Sequence, residues 1–237
     1  MRQAVFDFLH DTNSNDFREK IENHISCMSL DEQYEIISHI AADSVLRCAA
    51  HVYLPICTIV HDFLSHDDNF YTSHYTIVKK ILPCIIALMY YQRYYDNYEK
   101  LVDIFEKVRG REHSREAMEL YHYAGLILYQ KIFIYDAIRF YERSIAEADG
   151  IGEISYKNRL FDCLGTAYAD KGMYRDALDY FNLSIAGKEQ SGDREGLAIT
   201  MGNRGRVYMS LGEYEKALQC FSVDLEISQE IGDIRGK

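Results

Sequence analysis

The chain has 237 residues, of which 48% are hydrophobic and 27% are charged, and it contains only two prolines. This composition is typical of a globular protein, and so few prolines favour helices over a many-turned β protein. The formal net charge of −11 argues against direct binding of nucleic acid, because a phosphate backbone requires a basic surface.

The first part of the chain, residues 1 to 75, carries no internal repeat. Ser29 and Glu32 have the spacing of a capping box, which predicts that a helix begins there. We expect this segment to be either a separate helical bundle or an N-terminal cap on residues 76–237, which carry the repeats described below. Four helices are predicted within it, over about 2–10, 15–27, 30–50 and 52–64.

Signals for export or membrane insertion are not evident in the sequence. Residues 1–10 do not form a secretory signal, and the apolar run 81–91 contains Pro83 and is too short to span a bilayer. We therefore predict a buried helix over this run. The six cysteines are scattered without a CxxC pair, which favours reduced thiols in a cytoplasmic protein.

Four columns of residues recur with a period of 40 along the rest of the chain. Each period contains two amphipathic patterns with helical spacing, joined by a short turn. Neither helix can bury its apolar stripe alone, so the units must stack, which predicts an all-α, right-handed α-solenoid. The columns are Gly125, Gly165 and Gly205; Ala137, Ala177 and Ala217; Tyr141, Phe181 and Phe221; and Gly152, Gly192 and Gly232.

The pattern Phe161, Leu164-Gly165, Tyr168, Ala177 and Phe181 resembles the tetratricopeptide repeat (TPR) family, whose helix A carries Leu-Gly and an aromatic and whose helix B carries Ala and an aromatic. The period of 40 departs from the usual 34 and resembles the long units of Pins-like adaptors, kinesin light chains and Rap-type regulators. The predicted units cover 118–151, 158–191 and 198–231, preceded by a degenerate unit over about 82–115.

Motifs for catalysis, metals or cofactors are weak. The segment 150–155 looks faintly like a dinucleotide-binding loop, but it follows a helix and contains a glycine of the repeat. His61, His66 and His74 lack the spacing of metal ligands, and Cys57 with His61 has no third catalytic partner. We predict no cofactor, no metal and no enzymatic activity.

The TPR resemblance implies a concave groove, lined by helix A, that binds a peptide or protein segment. Asn203 lies two residues before Gly205, where peptide-binding arrays carry an asparagine whose amide bonds the ligand backbone. A solvated helix residue is the alternative interpretation of Asn203. The resemblance places these side chains in the groove: His122, Tyr129, Arg159, Asp162, Thr166, Asn203 and Arg206.

Two functions are consistent with the sequence. The first is a non-enzymatic protein-interaction module, and the second is the regulatory arm of a kinase, cyclase or caspase-like (CHAT) peptidase whose catalytic domain lies beyond residue 237. The segment 231–237 repeats the link that elsewhere precedes a helix A. We therefore expect the chain to be the N-terminal part of a longer protein.

Overall fold

The computed structural model describes residues 29–42, 60–61 and 63–232, which contain helices, turns and links but no strand. The chain divides into two compact units between Ile127 and Leu128. The predicted fold class, an all-α solenoid of TPR-like helix pairs, is confirmed. The ten helices delimited in the described residues are α1 (Leu30–Ala42), α2 (Asp68–Ser73), α3 (Tyr75–Gln92), α4 (Tyr98–Val108), α5 (Arg115–Gln130), α6 (Ile134–Ile151), α7 (Ile154–Asp170), α8 (Tyr174–Ser191), α9 (Arg194–Ser210) and α10 (Tyr214–Glu230).

In the first unit, α1 begins at the predicted capping box. The Ser29 backbone N–H donates to Glu32 Oε2 at 2.9 Å, and the Glu32 N–H donates to Ser29 Oγ at 3.4 Å. These bonds satisfy donors that have no partner within the helix. Helix α1 packs on α3, α3 packs on α4, and the short α2 contacts both α3 and α4.

Helix α3 is the buried helix predicted from the apolar run. It includes Pro83, and nine of its residues are buried. Among the described residues, no helix is both long and apolar enough to cross a membrane. Helix α5 contributes Tyr121 to the same unit, where its ring lies edge-on to Phe105 with centroids 6.3 Å apart.

Several predictions for the first part of the chain lie outside the described residues. They include the helices over 2–10 and 15–27, residues 43–50 of the third, residues 52–59 of the fourth, and Cys27, Cys48 and Cys57. The domain boundary at residue 75 stays a prediction. The other three cysteines, Cys84, Cys163 and Cys220, are free thiols.

In the second unit, each helix from α6 to α10 packs against the helix that follows it in the chain. The glycine column is explained by the packing of helix A against helix B within a pair. A Cβ on Gly165 would lie 2.6 Å from the Phe181 ring, and one on Gly205 would lie 2.6 Å from the Phe221 ring. The small residue is therefore required by a close approach that repeats from pair to pair.

The other glycine column ends helix B. Gly152 follows α6 and Gly192 follows α8, with φ of 76° and 72° in the left-handed region that glycine adopts without a Cβ penalty. The segment that looked faintly like a dinucleotide loop is thus a helix end. The turns within the pairs use Gly172 and Gly212 in the same way, whereas the first such turn has Ile132 at φ 66°.

Candidate functional site

A pocket of about 220 Å³ lies in the second unit, where α7 and α9 contact each other directly. Helix α8 contributes two aromatic side chains to it, and α7 and α9 contribute most of the polar groups. The pocket has mixed chemistry, with amide, guanidinium, hydroxyl and carboxylate groups beside apolar surface. Its lining residues are Thr166, Ala169, Asp170, Tyr174, Phe181, Asn203, Arg206, Val207 and Ser210.

Three of the residues predicted to bind a ligand line this pocket together: Thr166, Asn203 and Arg206. Asn203 and Arg206 are three positions apart on α9, so they share a face of the helix. Arg206 Nη1 donates to Asn203 Oδ1 at 3.2 Å, and Thr166 Oγ1 donates to the Asp162 backbone carbonyl at 2.9 Å. Their role in binding stays a prediction, but the structure brings them to one site.

Tyr129 reaches the pocket through Asp170. Its hydroxyl donates to Asp170 Oδ2, and Asp170 is one of the lining residues. Burial, followed by this hydrogen bond, raises the pKa of Tyr129 above its usual range, while the nearby positive charge of Arg206 lowers it. The phenol therefore stays protonated and acts as a donor that orients the carboxylate at the edge of the pocket.

Asp162 belongs to a buried polar network rather than to the pocket lining. Its carboxylate accepts from Lys188 Nζ and, through Oδ1, from Thr200 Oγ1 at 2.7 Å. Lys188 has a side-chain exposure of only 3%, and its Nζ also donates to Thr200 Oγ1 at 2.7 Å and to the Gly196 carbonyl at 3.1 Å. The network joins α7, α8 and α9.

Sequence reasoning did not identify Lys188 and Thr200, although the repeat carries a signal for both. Lys188 stands in the column that has Ala148 in the preceding unit, and Thr200 stands in the column of Leu160. A polar residue in an otherwise small or apolar column indicates a specific partner, because burying it alone is costly.

The two remaining predicted residues are not among the pocket's lining residues. Arg159 is exposed on α7, with its guanidinium carbon 5.3 Å from the centroid of the Tyr156 ring. His122 lies in the first unit and is only 3% exposed, and its ring centroid is 5.3 Å from that of Tyr123. The exposed Arg159 side chain is therefore accessible to a ligand, whereas the buried His122 side chain is not.

Nucleophilic chemistry near the pocket is disfavoured by the state of Cys163 on α7. Burial, and then the negative charge of Asp162, raise the pKa of this thiol to about 12, so it is protonated at neutral pH. Across the residues that the structure describes, no three His, Cys, Asp or Glu side chains are grouped so as to hold a metal ion. The groups that line the pocket are suited to hydrogen bonding and charge pairing.

Comparison with known proteins agrees with the fold. The model of the tetratricopeptide repeat family matches residues 156–230. The crystal structure of BtubC (BKLC) from P. vanneervenii superposes with a TM-score of 0.61 at 16% identity, over 89% of this chain and 95% of that one. At this identity the likeness concerns the fold alone. No curated protein matches the chain.

Tetratricopeptide repeats are generally protein–protein interaction modules, and the fold is typically non-catalytic. The similarity to particular long-repeat adaptors, the continuation beyond residue 237 and the alternative of a regulatory arm stay predictions. The matched segment contains α8, α9 and α10 and almost all of α7, and therefore every residue that lines the pocket. Residues 156–230 are therefore similar to the tetratricopeptide repeat family.

Proposed function

We propose that the chain is a non-enzymatic interaction module and that its pocket binds a segment of a partner protein on the concave face of the repeats. The observation that carries this proposal is the meeting of Thr166, Asn203 and Arg206 at one pocket. The general role of tetratricopeptide repeats in binding proteins supports it.

The chemistry of the pocket fits a polypeptide backbone with a polar side chain. Asn203 and Arg206 supply amide and guanidinium donors, and Asp170 supplies a carboxylate acceptor. A peptide presents both N–H and C=O groups, so it can satisfy this mixed set. Tyr174 and Val207 add apolar surface for a side chain next to the polar contacts.

The size of the pocket also favours a segment that lies across it over an engulfed small molecule. Its volume of about 220 Å³ is below the roughly 300–1,000 Å³ of pockets that bury a drug-sized ligand. A polypeptide can place one side chain in such a pocket and make its other contacts along the neighbouring helices.

The test is affinity capture from the source lysate with the full chain as bait, followed by mass spectrometry. The test variant is Asn203→Ala/Arg206→Ala, and the matched control is Arg175→Ala/Gln190→Ala, which changes two exposed residues of α8. We expect at least one protein to be retained by the wild type and by the control but not by the test variant. The circular dichroism spectra of both variants should match that of the wild type. Equal retention of every captured protein by both variants would contradict the proposal.

A further inference from the structure

Tyr129 and Asp170 form a polar pair at the edge of the pocket that the repeat does not require. The Tyr129 hydroxyl donates to Asp170 Oδ2, and Asp170 lines the pocket. The equivalent positions one period away carry neither a phenol nor an acid, because they hold Ala169 and Met209 in the column of Tyr129 and Gln130 and Ser210 in the column of Asp170. Packing within the repeat therefore explains neither side chain.

Tyr129 fixes the orientation of the Asp170 carboxylate. The phenol is half-buried, and burial followed by its hydrogen bond raises its pKa, so it is a protonated donor at neutral pH. Because Oδ2 accepts this bond, Oδ1 is the oxygen that faces a ligand, and it has no hydrogen-bond partner within the described part of the chain. A carboxylate held in this way loses less conformational entropy on binding than a freely rotating one does.

Asp170 forms no ion pair with any residue that the structure describes. Lys171, the next residue in the chain, lies over the Tyr135 ring, with its Nζ 4.1 Å from the ring centroid. Arg206, the cation that lines the pocket, donates through Nη1 to Asn203 Oδ1. The exposed carboxylate therefore keeps its negative charge available to a ligand.

The ends of two helices add negative potential at the same edge. Helix α7 ends at Asp170 and α9 ends at Ser210, and both residues line the pocket. The last carbonyl groups of a helix carry partial negative charge, which favours a cation nearby. The net charge of −11 attracts a basic segment over longer distances as well.

The geometry points to a specificity for basic side chains: Asp170, held by Tyr129, pairs with a lysine or arginine side chain of the segment that binds in the pocket. This inference rests on the proposed function, since it names the chemistry of the segment that the same pocket binds. Tyr129 is the positioning residue, because it acts on the ligand only through Asp170. Asn203 and Arg206 supply donors for carbonyl groups of the same segment.

The probe is a phage-displayed library of random short peptides, selected on the immobilised full chain. We expect the peptides enriched by the wild type to share a lysine or arginine at one position. Selection on Asp170→Asn, which removes the charge and keeps the shape of the side chain, should not enrich that basic residue. The matched control is Asp179→Asn, the same exchange at an exposed position of α8 outside the pocket, and it should enrich the same peptides as the wild type.

A double-mutant cycle between chain and peptide measures the contact itself. An enriched peptide and its variant with norleucine in place of the basic residue are labelled with a fluorophore and titrated with each chain by anisotropy. We expect the wild type to bind the basic peptide about fivefold more tightly than the norleucine peptide, and Asp170→Asn to bind the two equally.

The same cycle tests the positioning role of Tyr129. Tyr129→Phe should reduce the preference for the basic peptide to roughly twofold and leave the affinity for the norleucine peptide unchanged. A purely structural role of the hydroxyl would instead weaken the binding of both peptides, and that result would overturn the assignment of Tyr129.

Failure of this inference and failure of the proposed function give different results. Peptides that need Asn203 and Arg206 but share no basic residue, or an equal preference for the basic peptide in the wild type and in Asp170→Asn, would overturn the inference alone. A shared acidic residue would also overturn it, because it would assign the charge contact to Arg206. Enrichment of no peptide, or of peptides that bind Asn203→Ala/Arg206→Ala equally well, would contradict the proposed function and this inference with it.

Discussion

Ile132 has a left-handed backbone conformation, and the two later turns of the same kind have a glycine at the equivalent position. Its φ is 66°, against 73° at Gly172 and 75° at Gly212, and its side chain is 78% exposed. A β-branched residue in the left-handed region is strained, and an exposed side chain recovers little of that cost through packing. This residue is a local weakness of the second unit.

We therefore expect Ile132→Gly to stabilise the chain by about 1 kcal/mol, after the entropy that glycine adds to the unfolded state is subtracted. The measurement is the free energy of unfolding in urea. The control is Ile199→Gly, which makes the same exchange at an exposed position inside α9 and should destabilise by about 0.5–1 kcal/mol. A loss of stability in Ile132→Gly would contradict the assigned strain.

Cys163 provides a second test at the level of a single side chain. Because burial, and then the negative charge of Asp162, raise the pKa of its thiol to about 12, the folded protein holds far less Cys163 thiolate at pH 8 than the unfolded chain does. We expect iodoacetamide to modify Cys163 at least a hundredfold more slowly in buffer than in denaturant, as measured by peptide mapping. Equal rates in the two solvents would show that the thiol is neither buried nor perturbed.

The helix pairs are set by the contact between the glycine of helix A and the aromatic ring of helix B. In Gly165→Ala the added methyl would overlap the Phe181 ring, at a cost of about 1–3 kcal/mol that the better helix propensity of alanine reduces by about 1 kcal/mol. We expect a net loss of about 1 kcal/mol in urea unfolding.

A double-mutant cycle isolates that contact. In a Phe181→Leu background the ring is absent, so Gly165→Ala should cost less than it does in the wild type. An identical cost in the two backgrounds would mean that the methyl meets something other than the ring.

Between the pairs, the network of Asp162, Lys188 and Thr200 joins three helices. Lys188→Met would leave the carboxylate of Asp162 without its cation in a mostly buried place, and we expect a loss of about 3 kcal/mol in urea unfolding. Asp162→Leu in the same chain should recover most of that loss, because a buried ion pair can be replaced by apolar groups. No recovery in the double variant would contradict the pairing.

Over the whole molecule, the sequence predicts the helix pairs well because each column of the repeat reports one recurring contact. Gly165, Phe181 and Gly192 are fixed by local packing and backbone conformation, so their spacing reveals the architecture. The shared face of Asn203 and Arg206 also follows from helical spacing alone.

The sequence does not predict the part of the site that depends on contacts between residues far apart in the chain. Asp162 was predicted to face a ligand, but it pairs with Lys188 and Thr200, which are 26 and 38 positions away. Which polar side chains meet across three helices depends on rotamers and helix offsets that no periodicity encodes.

The proposed contact between a partner protein and the pocket of Thr166, Asn203 and Arg206 can be tested directly. The most direct measurement is photo-crosslinking in the source lysate from a benzophenone amino acid placed at Ser210, which lines the pocket and is exposed. The same group at Gln190, exposed on α8 and outside the pocket, is the control.

We predict one protein that crosslinks to the benzophenone at Ser210 but not to the one at Gln190, and we expect this crosslink to disappear when Asn203→Ala/Arg206→Ala is added. The same crosslinked proteins from both positions, or a crosslink that persists in the double-alanine background, would contradict it.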